Sequence, residues 1–544
     1  MNLLRRLVLS TYACYTEALG MSNHAAWQEP NVRRLTLQMG ELLRSCKIVS
    51  QSRKSGQTNS LSVNDDQNML LPDQDRAMAY TMSGLYFSHF ESTYRILHIP
   101  TFWREYEEYW SHKSATTTAI RLKVCLVIAI GSVMHDSDSS FRNMARQWIY
   151  AAERWLADPI EKQKLNVCMI QIHCLVILAR QLLSVSGDFI WTSMGTLVNR
   201  AMQIGLHRDP KHLPKMTILQ AELRRRLWVT IFEMVVQSSL DSAMPPRILL
   251  ADFDCSPPSN LDDDAIDNDT VMLVSCPENT FTSTSIQLKL YSSLVTRLRI
   301  LQVLTDLHND LKYEKVLGLS SQLLEACAEL RSFSDSHKQH GLTQFHQNIL
   351  IFMVHRFMIP LHCPFVRKAT QNPLFIYSIN ASLDASIAIV SPQKDTSYSQ
   401  LMAVGSSFCK EAIRLSATII SLELLSQINE QRHIGTIHCN VQSREHLKQG
   451  LRNTIDMALA RLRNGESNVK SHLFLSMILA QAEAVEFNRP VELEVAKRGL
   501  ESIRLCYDIL RTRATIGIDD LLCVSPDDDF GFGMDLEYAG DFQF

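Results

Sequence analysis

Apolar positions recur at helical spacing along most of the chain. Residues 122–134 are apolar nearly all round, which predicts a helix buried in the core. Residues 167–183 have the same character. Residues 191–205 place Met194, Leu197, Val198, Ala201 and Met202 on one helical face, with Gly205 set to cap the C-terminus. The most legible helix spans 219–240. Leu223, Leu227, Ile231 and Val235 form an i, i+4 stripe, Trp228 and Phe232 stand beside it, and Pro245-Pro246 closes the segment. Helical patterns resume at 286–311, 315–331, 345–360, 378–390, 406–428, 444–463, 471–486 and 491–511. No alternation of strands with helices and no fixed-period repeat accompanies them. The expected fold class is therefore all-α.

Polar composition marks the boundaries. Residues 1–49 read as an N-terminal helical segment. Residues 50–72 read as a linker, because Leu61 and Val63 are nearly the only large apolar residues among Ser, Gln, Asn, Thr and Asp. A globular region is expected over 73–513, and a separate acidic-aromatic tail over 514–544, expected to be disordered. Arg5 and Arg6 before Leu7-Val8-Leu9 faintly resemble a targeting peptide, but the apolar stretch is short. No apolar run approaches the ~20 residues of a membrane helix; 169–183 comes nearest and is interrupted by Gln171, His173 and Arg180.

Composition narrows the picture further. Hydrophobic residues make up 46% of the 544, which excludes a disordered chain. The net charge of −3 gives no bulk attraction to nucleic acid or anionic membrane. The charge is uneven: eight acidic side chains and no Lys or Arg lie in 519–544, leaving +5 on the remainder. Thirteen scattered cysteines without a C-x-x-C pair read as reduced core thiols.

Searches for reactive chemistry return little. There is no G-x-S-x-G, no H-E-x-x-H and no phosphate-binding loop motif. Cys168, His173 and Cys174 share a helix but lack the paired short spacings of a zinc site, and His433, His438 and Cys439 form a weaker cluster. Residues 251–270 hold seven Asp and suggest calcium, yet Pro257 stands where an EF-hand loop needs glycine; a solvated acidic loop is expected. No catalytic residue, resident metal or cofactor is assigned. Arg224, Arg225 and Arg226 span about 200° of a helix, so they cannot point one way; a structural role is expected, with at least one beside Trp228. In the tail, Phe530, Phe532, Tyr538, Phe542 and Phe544 alternate with acidic residues, the composition of an activation segment that offers aromatics to a partner's groove.

Several stretches resemble one family, the large helical regulatory domain of fungal transcription factors that follows a zinc binuclear cluster. Leu97-His98-Ile99-Pro100-Thr101-Phe102 resembles its opening motif. Gly205-Leu206-His207-Arg208-Asp209 resembles its central signature, and Glu222 to Trp228, with Arg225 and Trp228 its most recognisable members, resembles the next helix. Asp252, Asp254, Pro257, Asn260 and Asp262-Asp263 are similar to the loop that follows. His355-Arg356-Phe357 with Pro360-Leu361-His362 is similar to a later motif. The resemblance covers about residues 75–510.

The resemblance implies a nuclear transcriptional regulator, often of metabolic or secondary-metabolite pathways, and not an enzyme. Gly205, His207, Arg208, Asp209, Arg225 and Trp228 are then structural. Implied partners are the transcription machinery through the tail, a homo- or heterodimer mate and a small-molecule effector, with no membrane. The zinc cluster needs six cysteines, and only Cys14 and Cys46 lie in the first hundred residues. No zinc ligand or DNA contact carries over to any residue here; DNA would be reached through a module outside this sequence or through a partner. Two other readings stay open: a co-regulator that pairs with a DNA-binding relative, and a helical enzyme or ligand-binding protein of the metabolism itself.

Overall fold

The computed structural model describes residue 19 and residues 27–57, 71–112, 115–135, 140–158, 165–185, 190–307, 311–338, 341–369, 372–434 and 441–516. Among these no residue is in a β-strand. The helices are α1 Pro30–Gln57, α2 Arg76–Tyr86, α3 Ile99–Ser111, α4 Thr118–Gly131, α5 Ser140–Ala157, α6 Val167–Leu182, α7 Ile190–Gln203, α8 Ile218–Ser242 and α9 Ser285–Thr305. They continue with α10 Tyr313–His337, α11 Gln344–His355, α12 Met358–Ala369, α13 Ile376–Val390, α14 Thr396–Val404, α15 Ser406–Ile434, α16 Val441–Arg463, α17 Lys470–Glu486 and α18 Val491–Ile516.

Three helices form the centre. In α4 every residue from Leu122 to Gly131 is buried, and in α6 every residue from Met169 to Leu182. Both sequences are apolar around the whole circumference, so only an interior position satisfies them. The third, α8, is buried continuously from Arg226 to Leu240 and starts with a capping box: Gln220 N–H donates to Thr217 Oγ1, and Thr217 N–H to Gln220 Oε1. α4 packs against α2, α5 and α6; α8 packs against α7 and α9. Gly131 permits the α2–α4 approach, since a Cβ there would lie 1.8 Å from the Met82 carbonyl oxygen. One continuous apolar core runs from Leu19 to Leu510. All ten described cysteines are free thiols.

Three departures from the sequence reading have physical causes. Helix α1 runs to Gln57, into the stretch expected to be linker from residue 50. Its polar residues contain no proline, and the helix is anchored by packing on α18, with Val32, Met39 and Cys46 buried. Gly499 of α18 allows this crossing, because a Cβ there would come within 2.9 Å of Met39 Sδ. The pattern at 345–360 divides into α11 and α12, bent by 41°. Pro360 does not end a helix but sits in the first turn of α12, where its missing N–H is not required. The stretch nearest to a membrane span is Pro373–Val390, not 169–183. One face of it packs against α12 and α15, with Ser378, Ser382 and Ser386 buried, while Leu374, Ile376 and Tyr377 are exposed.

Candidate functional site

The sequence signatures converge at the N-terminal half of α8. Helix α7 ends in a Schellman cap: Gly205 adopts φ +75°, its N–H reaches Met202 O (2.9 Å), and Leu206 N–H reaches Ala201 O (2.9 Å). The cap turns the chain so that His207 presents its backbone carbonyl to the loop after α8, accepting from Asp254 N–H (3.1 Å) and Cys255 N–H (3.2 Å). Two residues on, the Asp209 carboxylate is 1% exposed. It accepts from Lys211 N–H (3.0 Å), Ser256 N–H (3.1 Å) and Arg225 Nη2 (3.3 Å). Burial alone would push this carboxyl up, but these donors hold it well below the usual carboxylate range. Asp209 N–H donates in turn to Asp254 Oδ1 (2.9 Å), whose other oxygen pairs with exposed Arg208 (3.1 Å).

The three consecutive arginines diverge as their spacing requires. Arg224 Nη1 donates to Ile204 O (3.0 Å). Arg225 bridges Asp209 and Glu222, with Nη1 to Glu222 Oε1 at 2.6 Å. Glu222 also accepts from Ser259 N–H (2.9 Å). Arg226 does not snorkel; it is fully buried and pairs with Asp263 Oδ1 at 2.6 Å. Trp228 is 1% exposed, 5.6 Å from the Phe253 ring and 6.1 Å from the His207 ring. All six residues expected to be structural thus meet around one loop.

The acidic loop is solvated at six of its seven Asp, and Asp263 is the exception. It is 3% exposed and lies between two guanidiniums, Arg95 and Arg226. Its second oxygen accepts from Ile99 N–H (2.8 Å), and its backbone carbonyl faces His98 Nε2 (3.0 Å). Burial pushes its carboxyl up, and the two arginines outweigh this and hold it low. Arg95 stands at φ +45°, ending the short helix Ser92–Tyr94 in the left-handed region. Among the described residues, Arg95 Nε and Nη1 and Arg226 Nε and Nη2 find no acceptor in the protein. One carboxylate therefore holds two buried cations. Sequence reasoning noticed Asp263 only as part of a motif and passed over Arg95, which has no local signal.

Beside this frame lies a cavity of about 470 Å³ between the opening motif, α4, α6 and α8. Leu97, Phe102, Val167, Met216 and Leu223 give apolar walls. The polar lining includes His98, Gln171, Arg224 and the Lys123–Glu105 ion pair (2.5 Å). Arg224 is half-buried and, among the described residues, has no carboxylate partner.

The thiol and histidine clusters are engaged otherwise. His173 Nε2 lies 3.2 Å from Ser193 Oγ, and burial together with Arg200 pushes its pKa down to about 3. Cys174 is buried in the core and Cys168 borders the cavity. Among the described residues no three His, Cys, Asp or Glu converge as metal ligands. His438, Cys439, the side chain of His433 and the tail residues Phe530, Phe532, Tyr538, Phe542 and Phe544 lie outside the described residues.

The fold and site define an all-α domain built on a buried arginine–carboxylate frame beside a mixed-polarity cavity. Residues 84–349, from α2 into α11, are a fungal specific transcription factor domain. The chain is 39% identical to transcription factor asR3 of Sarocladium schorii, over 92% of this chain and 65% of that protein. It is 31% identical to transcription factor opdR of Penicillium oxalicum, over 86% of this chain and 63% of the relative. It is 26% identical to the aspyridones cluster regulator apdR of Emericella nidulans, over 74% and 57%. The chain thus spans under two thirds of the length of these relatives. No solved structure matches it.

Proposed function

We propose that the chain is the regulatory part of a nuclear fungal transcription factor that controls a secondary-metabolite gene cluster, and that it is not an enzyme. The observation that carries this reading is the domain over residues 84–349 together with relatives named as transcription factors and as a cluster regulator. The geometry supports it, since the signature residues are consumed in holding the loop to α8. DNA is reached through a module outside this sequence or through a DNA-binding partner. The cavity is the place for a small-molecule effector; its apolar walls and Arg224, which has no carboxylate partner among the described residues, suit a mostly apolar acid. Residues 519–544 supply the activation segment.

The test is a reporter assay with the chain fused to an unrelated DNA-binding domain. The fusion is expected to activate, and to lose activity when Phe530, Phe532, Phe542 and Phe544 become Ala. Equal activity in this variant would remove the tail from the mechanism. No activation by any fusion would overturn the activator reading.

A further inference from the structure

Three helices begin at the cavity. The first turns of α3, α6 and α8 contribute Thr101, Cys168 and Gln220 to its lining. Aligned peptide dipoles give each helix start a partial positive charge. Lys123 and Arg224 add two full cations to the same lining, and Glu105 one carboxylate. The cavity therefore favours an anion. Lys123 is the one charged residue in the buried run Leu122 to Gly131 of α4. Its side chain is 5% exposed, and its Nζ donates to both Glu105 oxygens, at 2.7 and 2.5 Å. Glu105 comes from α3, and its side chain is 22% exposed. A buried ion pair adds little net stability over apolar residues of the same size, so stability alone does not account for it.

Glu105 shows what Lys123 is shaped to hold, a carboxylate with both oxygens on one ammonium. The two partners differ in freedom. Lys123 is fixed in a core helix, whereas Glu105 already reaches the surface. We propose that Glu105 is a built-in occupant of an anion anchor, and that a carboxylic acid with an apolar body displaces it from Lys123. This rests on the cavity being the effector site. The exchange keeps the pairing balanced: Lys123 has one carboxylate before and after, and Glu105 passes to water. Ile99 N–H on Asp263 Oδ2 (2.8 Å) holds the start of α3 in place while its Glu105 moves. Arg224 draws the same acid, and Leu97, Phe102 and Val167 take its apolar body. An alcohol of equal length lacks the group that competes with Glu105. While Glu105 holds Lys123 the anchor is closed, so Glu105 lowers the apparent affinity for the acid.

The probes are octanoate and octanol, titrated against the full chain at about pH 8, where octanoate is ionised. Cys168, a half-buried free thiol in the lining, reports occupancy through its rate of alkylation by N-ethylmaleimide, read by peptide mass spectrometry. Each variant is compared with its own unliganded rate, and a melting curve checks its fold. Octanoate is expected to protect Cys168 at concentrations about tenfold or more below those of octanol. Glu105→Gln should lower the octanoate midpoint about tenfold and leave that of octanol in place. Lys123→Met, which keeps the length of the side chain, should make octanoate no better than octanol. Glu105→Gln alone decides the matter if Lys123→Met fails to fold. Equal protection by both probes in the wild type, or an octanoate midpoint unmoved by Glu105→Gln, would overturn the displacement and leave the cavity a ligand site. No protection by either probe would overturn the ligand site and the displacement together.

Discussion

Asp263 carries more of the structure than any other charged residue around the signature. Its one carboxylate neutralises Arg95 and Arg226, both fully buried. Removing it would take away the carboxylate that hydrogen-bonds both buried guanidiniums. Asp263→Ala is therefore expected to destabilise the protein by about 3–5 kcal/mol in denaturant unfolding. A loss under 1 kcal/mol would show that the cations are satisfied elsewhere. A second buried acid nearby behaves differently. Glu91 accepts from Tyr86 OH (2.5 Å) and Leu97 N–H (2.9 Å), and burial pushes it from its ordinary 4.5 up to about 7, despite Arg95. Between those two values the folded chain keeps a proton that the unfolded chain has released. Stability attributable to Glu91 must then fall as pH rises through that window and level off above it. Glu91→Gln preserves the hydrogen-bonding shape, so its melting temperature should decline less than that of the wild type between pH 5 and pH 7.5. Parallel declines would refute the assignment.

At the scale of elements, two glycines in helices make a matched pair. Gly131 of α4 faces the backbone of α2 so closely that a Cβ would lie 1.8 Å from Met82 O. Gly318 of α10 has nothing within 4 Å of its Cβ position. Gly318→Ala should therefore stabilise by about 0.5–1 kcal/mol through helix propensity alone. Gly131→Ala should instead destabilise by about 1–3 kcal/mol or more, because α2 and α4 must separate. Equal effects at the two sites would contradict the α2–α4 packing. The same contrast shows what the sequence could reveal. The all-round apolar runs of α4 and α6 and the i, i+4 stripe of α8 announce helix and burial together, because periodicity is a local signal. Gly205 was legible for the same reason, as a glycine placed at the end of a periodic run. The partner of Gly131 lies 49 residues away, so nothing local distinguishes it from Gly318. The site divides along this line too. That three adjacent arginines diverge follows from helix geometry. That Arg226 chooses Asp263, shared with Arg95 168 residues from that aspartate, depends on tertiary packing.

At the scale of the molecule, the family domain and the helices after it belong to one packed body. Residues 84–349 match the domain. Just beyond that boundary, Arg356 reaches back to Gln237 and Asp241 of α8. Gln237 continues to Glu233, and Glu233 grips Arg297 of α9 with two bonds of 2.5 and 2.7 Å. This buried polar ladder joins α8, α9 and the bend between α11 and α12. The core then extends through α15 to α18, and α1 closes on α18 from the other end of the chain.

The central claim is control of a biosynthetic gene cluster, and deletion of the gene in its host tests it most directly. Transcripts are sequenced in the deletion strain and in strains restored with the wild-type gene or with Asp263→Ala. The account predicts that a contiguous set of biosynthetic genes falls silent on deletion, returns with the wild-type gene and stays low with Asp263→Ala. An unchanged transcript profile in the deletion strain would contradict it.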